Sequence, residues 1–150
     1  MIIRKGVKKD IPQVLDLIKE LAEFENAPDQ VTNTVERLEN DGFGNQPVYD
    51  LFVAESENKI IGMAITYFRY STWKGKNLYI EDLIINEKFR REGIGLKIFE
   101  ELKKFAKNRS CVGISLQVLD WNKIGINFYK KLNMKFDKEW VNCNLNLDEK

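Results

Sequence analysis

Three clusters of residues in this 150-residue chain have the types and spacing to do chemistry. The first is Arg90-Arg91-Glu92-Gly93-Ile94-Gly95, set between an apolar strand and an amphipathic helix. Glycines there let the backbone approach a ligand closely. Free amides at a helix start face outward, with the positive end of the helix dipole behind them. Such a place suits phosphate or pyrophosphate, and Arg90 or Arg91 can add a charge-assisted contact. Two familiar phosphate loops do not fit. Gly95 is followed by Leu96-Lys97 where a Walker loop needs Lys-Ser/Thr, and a Rossmann loop would need a third glycine at Ile98. A plain glycine turn before a helix accounts for the same spacing.

The second cluster is Glu81-Asp82 in Leu78-Tyr79-Ile80-Glu81-Asp82-Leu83-Ile84-Ile85. Strand alternation predicts that Glu81 shares a face with Tyr79, Leu83 and Ile85, and that Asp82 points to the other face. An ionised carboxylate in an otherwise apolar strand is costly unless paired or hydrated, so the pKa of a carboxyl here is expected to rise, as suits a general base. A solvated carboxylate at a bulge is the competing reading. The third cluster is Asp120-Trp121-Asn122, followed by Asn127-Phe128-Tyr129-Lys130. Asn122 is a sound helix N-cap. Ile124, Phe128 and Leu132 form a stripe that leaves Tyr129 on its flank, as packing or as an acid. The chain has no histidine, which excludes Ser-His-Asp and Cys-His catalysis and imidazole-held zinc. No metal site is expected.

These residues must be held by a mixed α/β framework. Ile2–Lys5 reads as a strand. Asp10 is then an N-cap and Pro12 lies in the first turn of a helix running to about Glu25, with Ile11, Val14, Leu15, Ile18, Leu21 and Ala22 at helical spacing. Ala27 to Asn33 is loop. Thr34 caps a shorter helix through Leu38, stopped by Asp41-Gly42. Tyr49–Glu55 and Ile60–Tyr70 are predicted strands joined by Ser56-Glu57-Asn58-Lys59, and Leu78–Ile85 is a third after a loop holding Trp73, Lys74 and Gly75. Gly95 to about Lys107 is helical, Val112–Leu119 a strand, Lys123–Leu132 a helix, and Met134–Leu147 one or two closing strands.

Length fits one domain with a real core, and 43% hydrophobic with 31% charged residues fits a globular chain. Lys plus Arg is 24 and Asp plus Glu is 23, for a net charge of +1, which disfavours a nucleic-acid partner. Cys111 and Cys143 lie far apart in apolar stretches and read as buried small hydrophobes. No signal peptide or membrane span is read from the sequence, so no membrane partner is expected and a cytoplasmic location is.

Taken jointly, the clusters resemble the GNAT family of acetyl-CoA-dependent N-acetyltransferases. The likeness is greatest to its diamine branch, the spermidine/spermine and thialysine N-acetyltransferases. It is carried by Leu17-Ile18-Lys19-Glu20-Leu21-Ala22-Glu23-Phe24-Glu25, Asp41-Gly42-Phe43-Gly44, Tyr79-Ile80-Glu81-Asp82, Arg90 to Gly95 and Trp121-Asn122 through Asn127-Phe128-Tyr129-Lys130, and spans about Ile3 to Trp140. Tyr70-Ser71-Thr72-Trp73-Lys74-Gly75 and Val118-Leu119-Asp120-Trp121-Asn122 look closer to the thialysine enzyme.

The resemblance implies a single acyl-CoA N-acyltransferase domain over 1–150, with a mixed, mostly antiparallel twisted sheet flanked by helices. It implies acetyl-CoA as donor, a small primary amine as acceptor, direct attack in a ternary complex, and a homodimer joined through Trp140 to Leu147. By the same resemblance, backbone of Leu83, Ile84 and Ile85 meets the pantetheine arm and thioester carbonyl. Arg90, Arg91, Glu92, Gly93, Ile94, Gly95 and Leu96 hold the pyrophosphate, and Asn122, Lys123, Ile124 and Gly125 meet the cofactor again. Glu81 relays the amine's proton, Tyr129 protonates the thiolate, and Phe24, Glu25 and Glu81 bind the amine. Arg91 stands where the family commonly has glycine. Ser71 stands where the spermidine/spermine enzyme has aspartate, which favours a short amine over spermine. An acyl-CoA-binding regulator without turnover and a protein-lysine acetyltransferase are the alternatives.

Overall fold

The computed structural model describes residues 1–148. They fall into two compact units, one of residues 1–117 and one that begins at Val118.

The first unit is built on a five-stranded sheet in the order β1-β2-β3-β4-β5. β1 is Ile2–Lys5, β2 Asp50–Ser56, β3 Lys59–Ser71, β4 Gly75–Ile85 and β5 Gly113–Leu116. The first four pair antiparallel and β5 joins β4 in parallel, which bears out the mixed, mostly antiparallel sheet. Helix α1 (Ile11–Phe24) presents its apolar stripe to one face, where Val14 and Leu15 pack with Leu51, Val53, Met63, Ile65 and Ile84. Helix α2 (Val35–Phe43) adds Leu38 to the same core. Helix α3 (Ile94–Asn108) covers the opposite face through Ile98, Phe99, Leu102 and Ala106, and Phe105 meets Phe52 edge-on at 5.0 Å.

Several local expectations are revised. Asp10 does stand at the N-cap position of α1, but its carboxylate makes no capping bond to that helix: it accepts from Arg4 at 2.8 and 3.1 Å and from the Val7 amide at 2.8 Å, tying β1 to the turn before α1. Thr34 does cap α2, accepting from the Arg37 amide at 3.1 Å. That helix then runs through Gly42 to Phe43, and the glycine serves as contact space: a Cβ there would collide with the Tyr49 ring. β3 and β4 extend further than expected and close as a hairpin over Ser71 to Gly75, with Gly75 at φ +111. β5 is shorter than expected.

The second unit contains helix α4 (Lys123–Lys131). No strand forms among the described residues between Met134 and Leu147. Alternation of Val141, Cys143, Leu145 and Leu147 makes an apolar face, but a strand also needs a neighbour to complete its ladder. Trp140 and Val141 are 79% and 85% exposed. Cys143 is exposed and Cys111 half-buried, both as free thiols, so neither is the buried hydrophobe expected.

Candidate active site

Strand β4 is interrupted at its acids. Ile65 of β3 lies opposite Asp82, but the next residue, Thr66, lies opposite Ile80, so Glu81 is an extra residue at a bulge. A bulge breaks the alternation of side chains. Asp82 therefore shares the α1 face with Ile65 and Ile84, and Glu81 turns toward that face too, accepting a 2.9 Å hydrogen bond from the Tyr67 hydroxyl. The two acids stand together instead of on opposite faces.

Their environments differ. Glu81 is exposed. Asp82 is half-buried, and burial, the charge of Glu81 and the charge of Glu25 push its pKa up to about 6. The raised carboxyl expected in this strand is found at Asp82. Period-two reasoning missed Asp82; the only sequence signal was a pair of adjacent acids in an apolar strand. Glu25 ends α1 as its C-cap and is itself raised by burial. Tyr67 is pushed up to about 12 by burial, by its bond to Glu81 and by nearby charge, so it stays a phenol and keeps donating.

The β4 edge beside these acids is open. β5 pairs with Asn77 to Ile80 and stops, so from Glu81 to Ile85 the strand has β3 on one side and no strand on the other among the described residues. Between Leu83 and Ile85, alternate backbone groups that turn away from β3 meet no strand, although the Ile85 carbonyl accepts from the Arg90 side chain; the edge fits the arm of an extended ligand.

The segment Arg90 to Gly95 turns in two left-handed steps. Arg91 has φ +68 and Gly93, the residue before α3, has φ +77. No side chain caps α3, and nothing lies within 4 Å of where a Gly93 Cβ would stand. The first-turn amides of α3, Ile94 to Leu96 among them, thus have no side-chain cap, the kind of helix start that suits pyrophosphate. The arginines divide. Arg90 is used internally: Nε donates to the Ile85 carbonyl at 3.1 Å, Nη2 is 3.7 Å from Glu20, and the guanidinium lies 5.7 Å from the Phe24 ring centroid. Glu20 also accepts from Asn86 at 2.9 Å. Both arginines are exposed, but Arg90 ties the end of α1 to the loop, which leaves Arg91 as the arginine free of such contacts and available to an anion.

In the second unit Asn122 caps α4, its side chain accepting from the Gly125 amide at 3.0 Å. A Cβ on Gly125 would stand 2.8 Å from the Asn122 side chain, so the glycine permits the cap. Ile124 is exposed. Tyr129 is held up to about 12 by burial and packs edge-on with Phe128 at 5.2 Å. Ser71 is spent on the β3–β4 turn, accepting from the amides of Trp73 and Lys74 at 3.2 and 3.1 Å. No group of metal-ligating side chains occurs, and no helix is long and apolar enough to cross a membrane, among the described residues.

Comparison with known proteins converges with this geometry. The model of the acetyltransferase (GNAT) family matches residues 14–134. The thialysine N-epsilon-acetyltransferase of Bos taurus is 40% identical over 140 positions, covering 88% of this chain and 82% of that one. The spermidine/spermine N(1)-acetyltransferase-like protein 1 of Homo sapiens is 32% identical, covering 98% of this chain and 23% of its own length. Among solved structures, a Bacillus halodurans protein superposes with a TM-score of 0.82 at 26% identity, covering 97% of this chain and all of that one.

Proposed function

The chain belongs to the acetyltransferase (GNAT) family, and from that premise we propose that it moves the acetyl group of acetyl-CoA onto a primary amine of a small, lysine-sized molecule by direct attack in a ternary complex. The observation that carries this reading is the bulge gathering Glu81, Asp82 and Glu25 beside an open β4 edge. Acetyl-CoA supplies an acyl thioester whose thiolate leaves as the amine attacks. An amine arrives protonated at neutral pH and cannot attack until it loses that proton. Glu81, exposed, meets the ammonium and passes its proton on, with Asp82 behind it poised near neutral pH. Glu25 and the Phe24 ring complete the amine end.

Leu83 to Ile85 offer backbone to the pantetheine arm, and Arg91 to Leu96 hold the pyrophosphate with Arg90 buttressing the loop. Asn122, Lys123, Ile124 and Gly125 are assigned to the cofactor by family resemblance, as is Tyr129 to protonation of the thiolate. Its phenol, held protonated, supports that role. Tyr129→Phe is expected to cut kcat by about 10²-fold with both substrates still bound; near-normal turnover from pH 6 to 9 would reduce Tyr129 to packing.

We propose further that residues 1–150 act as one catalytic domain, in the cytoplasm, as a homodimer joined through the exposed Trp140 to Leu147 segment. Light scattering at the mass of one 17.6 kDa chain would refute the dimer, and recovery in a membrane or secreted fraction would refute the location. The function itself is tested by thiol release from acetyl-CoA with thialysine, lysine, putrescine, spermidine, spermine and a histone peptide. Release with the short amines is expected. Binding of acetyl-CoA without amine-dependent release would leave a regulator, preference for the peptide a protein acetyltransferase, and a spermine specificity constant above that for thialysine a polyamine enzyme.

A further inference from the structure

The acidic face has a basic end that proton transfer does not use. Arg69 is exposed on β3 and opposite Asn77, yet its guanidinium carbon lies 4.7 Å from the ring centroid of Tyr79. Tyr79 is opposite Tyr67, two positions nearer the acids. The arginine therefore leans along the face toward Glu81 and Asp82. The two tyrosines form the floor between, with ring centroids 5.3 Å apart, and Tyr67 holds Glu81. Burial raises both phenols, and the Arg69 charge acts against it on each, so the guanidinium faces the same space. Arg69 makes no ion pair among the described residues.

Spacing decides what fits. Asp82 is opposite Ile65 and the guanidinium lies at the level of Tyr67, two residues of β3 away, or about 7 Å. A lysine-like molecule lying along the strand above this face, its six bonds from terminal nitrogen to carboxylate carbon spanning about 7 Å when extended, sets its amine over the acids and its carboxylate over the guanidinium. We propose that Arg69 binds the α-carboxylate of an ω-amino acid whose terminal amine meets Glu81 and Asp82, so that the site selects amino acids over the matching diamines. This rests on the acetyl-transfer reading above. A guanidinium offers a carboxylate two parallel hydrogen bonds. A diamine brings a second ammonium to the same place, where it meets a like charge.

The experiment compares the full chain with R69Q and R69K on matched pairs: lysine with cadaverine, ornithine with putrescine, and thialysine with its decarboxylated diamine. Loss of a charge-assisted pair should raise KM for each amino acid about tenfold or more in R69Q, with kcat within about twofold. KM for each diamine should stay level or fall, and R69K should recover part of the loss. Arg69 is exposed, so circular dichroism should match across the variants. Equal changes for both members of a pair, no change, or a wild-type protein that prefers the diamines overturns the Arg69 assignment while acetyl transfer stands. A wild-type protein that binds acetyl-CoA and acetylates neither member overturns both.

Discussion

The acid-bearing end of β4 and the loop before α3 are close in sequence and meet opposite electrostatic demands by opposite means. At Glu81 an extra residue crowds two carboxylates onto one face, where burial and mutual repulsion raise Asp82. At Arg91 and Gly93 two left-handed residues turn the chain into α3, whose start no side chain caps. In the reaction proposed above, the first region takes a proton from a cation and the second receives an anion. In both, the departure from regular backbone makes the site, and the residue types alone do not say which neighbour does what.

The contrast breaks most readily at Gly93. Gly93→Asp puts a carboxylate beside the open amides and an L side chain at φ +77, and should raise the dissociation constant for acetyl-CoA about tenfold or more. Gly93→Asn tolerates the same backbone without the charge and should bind within a few-fold of wild type. Calorimetry on folded variants checks both, and unchanged affinity in Gly93→Asp removes the loop from the cofactor site.

A smaller effect separates the arginines. Arg91→Ala should weaken acetyl-CoA several-fold and flatten the salt dependence of binding, since an exposed charge is screened. Arg90→Ala should leave affinity nearly unchanged and lower Tm by about 2–4 °C, for the loss of roughly 1 kcal/mol of contacts to Ile85, Glu20 and Phe24. The reverse pattern would return Arg90 to the pyrophosphate.

How much of this was legible followed the physics of each segment. Helical periodicity in α1 and α3 and the apolar runs of β2 and β3 placed the framework, because burial enforces those patterns wherever a core exists. Adjacent acids in an apolar strand admit a bulge at Glu81, but its consequence is not readable from them, since it depends on register against Thr66, which no local spacing encodes. Gly42 looked like a helix stop and is a contact for Tyr49, a residue seven places on. Arg90 and Arg91 were interchangeable in sequence and are separated by Glu20, seventy residues before Arg90. The closing strands failed because alternation gives a face and no neighbour to pair with.

The central claim, that the bulge makes Asp82 the carboxyl poised for proton transfer, is tested most directly by the pH dependence of kcat/KM in Asp82→Asn. Wild type should gain activity through an inflection near pH 6, where Asp82 ionises. Asp82→Asn should lose that inflection. Stability provides the paired reading from the same variant. Because the pKa of Asp82 in the fold lies above its unfolded 3.8, its ionisation opposes folding, a cost absent below about pH 4 and complete above about pH 6. The variant should therefore be more stable to unfolding than wild type at pH 7, by a margin on the order of 1–3 kcal/mol that fades toward pH 4. An inflection near pH 6 that survives in Asp82→Asn and disappears in Glu81→Gln would contradict the account.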